Sequence, residues 1–112
     1  MLTDTGKIFH GCNVENASYG LSNCAERSAI FSAVSAGERA ITAVMLYTPT
    51  AAPVTPCGAC RQVINEFGPR AMVFGTCDSQ QRTEASLAEL LPGAFGPANL
   101  SDSRRPVARK VR

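Results

Sequence analysis

Tryptophan is absent from this 112-residue chain, tyrosine occurs twice and histidine once, at His10. No apolar run approaches the roughly 18 residues that cross a bilayer as a helix. A helical membrane span is therefore excluded. No charged start followed by an apolar stretch resembles a signal peptide, so a cytoplasmic location is expected. Internal repeats and low-complexity tracts are missing too, which leaves a single domain at this length. With 45% hydrophobic and 18% charged residues, the composition is that of an ordinary globular protein. Such a domain can bury a core, with little margin.

Acidic and basic residues nearly cancel to a net charge of +2, but the balance is uneven. The tail "SDSRRPVARKVR" (101–112) carries five basic residues against Asp102, or +4, so residues 1–100 carry −2. A basic tail of this kind reads as a solvated, frayed terminus. The body has no basic stripe of the sort a nucleic-acid reader needs. Expected organisation is one domain over 1–100 followed by the basic tail 101–112.

Punctuation by Gly and Pro divides the chain. "TDTGK" (3–7) reads as a tight turn. "KIFHGCNVEN" (7–16) reads as a strand with a bulge or close approach at Gly11, and "NASYGLSN" as a loop. From Cys24 the apolar positions Ala25, Ala29, Ile30 and Val34 recur at helical spacing until Gly37. "AITAVMLYT" (40–48) is a buried strand, "PTAAPVTP" (49–56) a loop, "GACRQVINEFG" (58–68) a short helix and "AMVFGT" (71–76) a strand. "SLAELLPG" (86–93) is a helix with a capping box from Ser86 and Glu89. The order β-α-β-α-β-α implies a mixed sheet with helices on its faces.

Five cysteines without a secretion signal are expected as thiols or metal ligands, not as a disulfide framework. Cys57 stands at the start of a helix and Cys60 one turn further on, on the same side. A helix N-terminus favours thiolate, the form that binds metal. Cys24 opens the preceding helix in the same way. Together the three would hold Zn²⁺ and leave one tetrahedral position open, as in catalytic zinc sites. Glu26, two residues after Cys24, can reach over that position and move protons. A thioredoxin-like redox pair is the competing reading; no tryptophan precedes the motif, and Cys24 and Glu26 would then have no role. A closed structural site would need His10, Cys12 or Cys77 as a fourth ligand. Arg27 and Arg61 flank the thiols. Three thiolates on Zn²⁺ leave net −1, and the guanidinium of Arg27 would offset it.

"GCNVENASYG", "NCAERSAIF", "TPCGACRQV" and "ELLPGAFGP", in this order, resemble cytidine deaminase of the small homotetrameric zinc type, over about residues 3–102. The proline-cysteine-x-x-cysteine element and the non-ligand glutamate are known marks of zinc deaminases. Cys24 as first ligand points to the branch acting on free nucleosides. The resemblance implies an α/β, three-layer α-β-α fold with a mixed central sheet. It implies hydrolysis of cytidine or deoxycytidine, with Glu26 serving water, ring N3 and the leaving amine. It further implies that Asn13 and Glu15 hold the ribose hydroxyls and the Ala25 backbone touches the base. By the same resemblance Phe95 stacks on the pyrimidine across a subunit boundary, and Tyr19 lies at an interface. Nucleoside is then the partner, with neither nucleic acid nor membrane. Such proteins carry an N-terminal helix and a first strand before the turn, whereas this chain starts at "MLTDTG". The fold is thus expected to be N-terminally truncated, with a non-catalytic zinc-binding remnant as the alternative. A deaminase of the blasticidin S type is a further alternative, against which "NVEN" argues.

Overall fold

The β-branched and apolar run at 41–47 forms the longest strand, and the sheet is built around it. The computed structural model describes residues 1–100; the basic segment 101–112 lies outside the described residues. The elements are β1 (Leu2–Thr3), α1 (Ala25–Ser35), β2 (Ile41–Tyr47), α2 (Gly58–Phe67), β3 (Met72–Thr76), β4 (Thr83–Ser86), α3 (Leu87–Leu90) and α4 (Pro97–Leu100), with one 3₁₀ turn at Tyr19–Leu21. Strand order is β1-β2-β3-β4. β2 and β3 run parallel, from Ala43 opposite Met72 to Tyr47 opposite Thr76. A parallel pair needs a crossover, and α2 supplies it. The two outer pairings are antiparallel, so the α/β fold has a mixed sheet.

The core sits between the helices and the two middle strands. Ile30 of α1, Ile41 and Val44 of β2, Ile64 of α2, Ala71 and Leu87 form one buried cluster, backed by Met1, Val34, Val63 and Phe67. Each fully buried branched aliphatic side chain contributes about 1.5–3 kcal/mol. The contacts pin the inner faces of α1 and α2 to the sheet and so fix where the two helices begin. Among the described residues no helix is long and apolar enough to cross a membrane.

Several expected boundaries are met within a residue or two. α1 ends where Gly37 takes a left-handed φ of +95°. The capping box is present: Ser86 Oγ accepts from the Glu89 N–H at 3.2 Å, and Glu89 Oε1 accepts from the Ser86 N–H at 3.0 Å. The 3–7 turn closes with Gly6 at φ +84°. It is tied to the connection between α1 and β2 through Thr5, which donates to buried Glu38. Thr3 and Thr5 hold the Glu38 carboxyl below its ordinary pKa.

Three expectations are corrected. The 7–16 segment is not a strand; it makes only isolated bridges, Leu2–Ile8 and Val14–Asn23. Its middle leaves the sheet because Gly11 lies against the backbone of α1, where no ladder can follow. β4 was not anticipated. "TEAS" lacks apolar alternation, and it becomes a strand because the free edge of β3 pairs with it from Met72–Ser86 to Gly75–Thr83. The 86–93 helix stops at Leu90, ahead of Pro92 and of Gly93, whose φ is +63°.

β1 is two residues long, yet Leu2 is paired on both sides, to Ala43 of β2 and to Ile8. The Met1 amino group donates to the Phe9 carbonyl at 3.0 Å. β2 runs on past this pairing, with Met45 and Tyr47 exposed.

A Cβ on Gly11 would overlap the Ala25 carbonyl oxygen and lie 2.5 Å from the Ala29 nitrogen, both in α1. Both obstacles are backbone. Gly11→Ala is therefore expected to destabilise the fold by at least about 1–3 kcal/mol, read as a fall in melting temperature of about 5 °C or more. An unchanged melting curve would show that the segment slides away freely.

Candidate metal centre

Both long helices begin at a cysteine. Cys24 is the N-cap of α1 and Cys57 the N-cap of α2, each with extended backbone. Neither side chain caps its own helix, so both sulfurs are left to face one another. Cys60, in the first turn of α2, is fully buried beneath them. The three Sγ atoms lie within 4.8 Å of one another, with Cys24 and Cys57 3.7 Å apart. A disulfide would need about 2.05 Å, so these are separate thiols. Zinc–sulfur bonds of about 2.3 Å at the tetrahedral angle would place sulfurs about 3.8 Å apart. The donor set fits that ion.

The electrostatics point the same way. The Cys57 thiol is held below its ordinary pKa, chiefly by the Cys60 backbone N–H of the helix start. Burial pushes the Cys60 thiol up, and the neighbouring Cys57 and the Glu26 charge push it further. Three thiolates cannot share this volume without positive charge. Arg27 supplies part of it: Nη2 donates to Cys24 Sγ at 3.5 Å. Hydrogen bonds to Cys24 and Cys60 raise its pKa further. Its buried Nε has no hydrogen-bond partner among the described residues. A divalent cation would supply the rest.

Glu26 lies in the first turn of α1. With Asn13, Cys24, Val44 and Tyr47 it lines a cleft of about 590 Å³. Asn13 accepts the Ala25 N–H on Oδ1 at 2.8 Å. This satisfies an orphan donor of the helix start, a contact worth about 1 kcal/mol. Asn13 is held there by paired backbone bonds of 2.9 Å between Val14 and Asn23, next to Cys24.

His10 and Cys12 also line the cleft but stand outside the three-sulfur cluster. Cys77 is buried elsewhere, beside Ser79 and the Ala51 carbonyl. Among the described residues no fourth ligand joins the three thiols. Glu15 and Phe95 are not brought to the cleft of their own chain, and Phe95 is 60% exposed.

Arg61, the second arginine that flanks the thiols, has a structural part that its position in the sequence does not announce: it donates to the Pro56 carbonyl, the Thr55 hydroxyl and the Leu90 carbonyl, each at 2.8 Å. It locks the loop that delivers Cys57 and ties it to the end of α3. Nothing local signals this, since Leu90 is 29 residues away.

Three sulfur donors with no fourth ligand beside them among the described residues, and a carboxylate in the adjoining cleft, fit hydrolytic rather than structural zinc. The chain belongs to the cytidine and deoxycytidylate deaminase family: residues 1–76 match that family's zinc-binding region. It is 49% identical over 102 residues to a cytidine deaminase of Sporosarcina psychrophila, covering 90% of this chain and 75% of the relative. Identity to the cytidine deaminase of Halalkalibacterium halodurans is 44%, with 91% and 78% covered. The fold superposes on a crystal structure of the Burkholderia pseudomallei cytidine deaminase with a TM-score of 0.79 and 52% identity, over 84% of this chain and 76% of that one.

Purified protein is expected to hold one zinc per chain, measured by elemental analysis after gel filtration. Cys24→Ser, Cys57→Ser and Cys60→Ser lose it; Cys12→Ser and Cys77→Ser retain it. Loss of zinc from Cys12→Ser or Cys77→Ser equal to that from Cys57→Ser would mean a closed four-ligand site.

Proposed function

We propose that the chain is a zinc-dependent hydrolase that converts cytidine or 2′-deoxycytidine and water to the corresponding uridine and ammonia. The observation that carries this reading is the three-sulfur cluster, whose Cys24 lines one cleft with Glu26, in a chain about half identical to cytidine deaminases. Cys24, Cys57 and Cys60 would hold the ion. Bound there, zinc is a Lewis acid that makes water nucleophilic near neutral pH.

The remaining work falls to the chain itself. Glu26 takes one proton from the attacking water and delivers it to ring N3; it then takes the second from the new hydroxyl on C4 and delivers it to the departing amine, so that both water protons are accounted for. A carboxylate at a helix start, beside the ion and within the cleft, can serve each transfer in turn. Arg27 lowers the negative charge of the thiolate cluster, which keeps the ion electrophilic. Asn13 spends its carbonyl oxygen on Ala25, which leaves the amide N–H₂ to donate to a ribose hydroxyl. Glu15 is assigned the second ribose contact. The Ala25 backbone, at the rim of the cleft, would meet the base.

Phe95 is assigned to stack on the pyrimidine of a neighbouring subunit. Its exposure and its distance in the fold from its own chain's cleft lining support this. A homotetramer follows from the same reading. Exposed Val14, Tyr19, Leu21 and Phe31 offer apolar surface for assembly. A cytoplasmic location is consistent with thiol ligands that must stay reduced. Residues 1–100 would form the zinc domain.

Glu26→Gln is nearly isosteric and cannot shuttle protons. It is expected to keep zinc and the wild-type melting temperature while losing at least about 10²-fold in kcat, measured by the absorbance change of cytidine. A loss below tenfold would remove Glu26 from proton transfer. Sharing of sites has its own check. Co-refolded mixtures of Phe95→Ala and Glu26→Gln chains should regain activity above either parent, because mixed oligomers contain sites with both groups intact. No gain would place Phe95 within its own subunit's chemistry or outside it altogether.

A further inference from the structure

The segment between α3 and α4, residues 91–96, has no regular structure. Its one exposed aromatic ring nevertheless sits on a fixed root. Gln62 Nε2 donates to the Phe95 carbonyl at 2.7 Å. Asn65 Nδ2 reaches the same oxygen at 3.4 Å. Both donors come from α2, three residues apart and so on one face. Gly96 packs directly on Asn65, where an added Cβ would stand 2.7 Å from Nδ2. Its N–H is taken by Asn99 Oδ1 at 2.8 Å. Asn65 thus has both a backbone and a carbonyl against it.

We propose that Gln62, supported by Asn65, is a positioning residue for Phe95: the helix that carries Cys57 and Cys60 also fixes the ring that packs on the base. This rests on the reading of Phe95 as a base-stacking residue. A free six-residue segment would have to order its backbone on binding, at a cost in affinity. Two amide donors on one carbonyl remove much of that cost in advance. The link also has a geometric consequence. Because the ring is anchored to α2, its position is defined against Cys57 and Cys60 of the same helix. In an assembly with shared sites, each chain's α2 then sets both its own metal ligands and the ring that this chain lends to its neighbour's site.

Gln62 is exposed, so its substitution spares the core. Gln62→Leu removes the donor at similar size. Gln62→Glu keeps the length but turns a carboxylate oxygen toward the carbonyl. Steady-state kinetics with cytidine are to be measured for both, alone and in a Phe95→Ala background, alongside zinc content and melting temperature. Gln62→Leu is expected to raise KM by about three- to tenfold, the value of one hydrogen bond, with kcat changed far less. Gln62→Glu should raise KM at least as much. Zinc content and melting temperature should stay at wild-type values. In the Phe95→Ala background the Gln62 substitutions should add nothing, since coupled residues are not additive. An equal KM rise in both backgrounds would overturn the proposal, because Gln62 would then act without the ring. A KM rise in Phe95→Ala with none in Gln62→Leu would overturn it alone. No KM change in Phe95→Ala would overturn the stacking role and the proposal together.

Discussion

Three sulfurs within 4.8 Å of one another, one of them fully buried, are the constraint on which the rest depends. Within the cluster, burial and the neighbouring Cys57 and Glu26 push the Cys60 thiol upward. Two features oppose that. The thiols stand at the N-termini of α1 and α2, where unpaired N–H groups and the helix dipoles favour anions. The Arg27 guanidinium lies against Cys24. Neither suffices for three thiolates, and a divalent cation completes the balance. Because the sulfurs come from two helices, that balance holds only if both helix starts keep their places. The buried cluster of Ile30, Ile41, Val44 and Ile64 serves this purpose.

The elements divide the work by stiffness. Metal ligands sit on helix starts packed onto the sheet, where a shift of a few tenths of an ångström would be felt. Asn13 and Phe95 sit on irregular segments and are steadied by side-chain-to-backbone bonds: Asn13 to Ala25, and Gln62 to Phe95. Arg61 joins the two kinds of support, since one guanidinium spans the Cys57 loop and the end of α3. α2 is therefore more than a crossover. It supplies two of the three clustered thiols at its start and, along its length, the donors that hold residues 90 and 95.

What was legible in the sequence follows from locality. Cys24, Glu26, Arg27, Cys57 and Cys60 could be grouped because helix starts are marked by short-range signals and because thiols and a carboxylate have few other uses at such spacing. α1, β2, α2 and β3 were legible from periodicity and from Gly and Pro punctuation. The failures are non-local. Whether "KIFHGCNVEN" pairs as a strand depends on Gly11 meeting a helix that lies 14 residues on, at Ala25. β4 exists because β3 has an open edge, not because Thr-Glu-Ala-Ser favours extension. Arg61 and Gln62 gain their roles from carbonyls 29 and 33 residues away. No local pattern carries that information.

The same division explains why glycine at position 11 matters as much as any charged residue. The Asn13 side chain can reach the first N–H of α1 only if the segment before it passes directly over that helix turn. Any Cβ at position 11 would meet the Ala25 carbonyl and the Ala29 nitrogen and lift the segment away. Asn13 would then lose its bond to Ala25, and α1 would begin with one more unsatisfied donor beside Cys24. A side chain would thus reach the chemistry through the backbone alone. The site depends on close approach of main chains before it depends on the groups that carry the reaction.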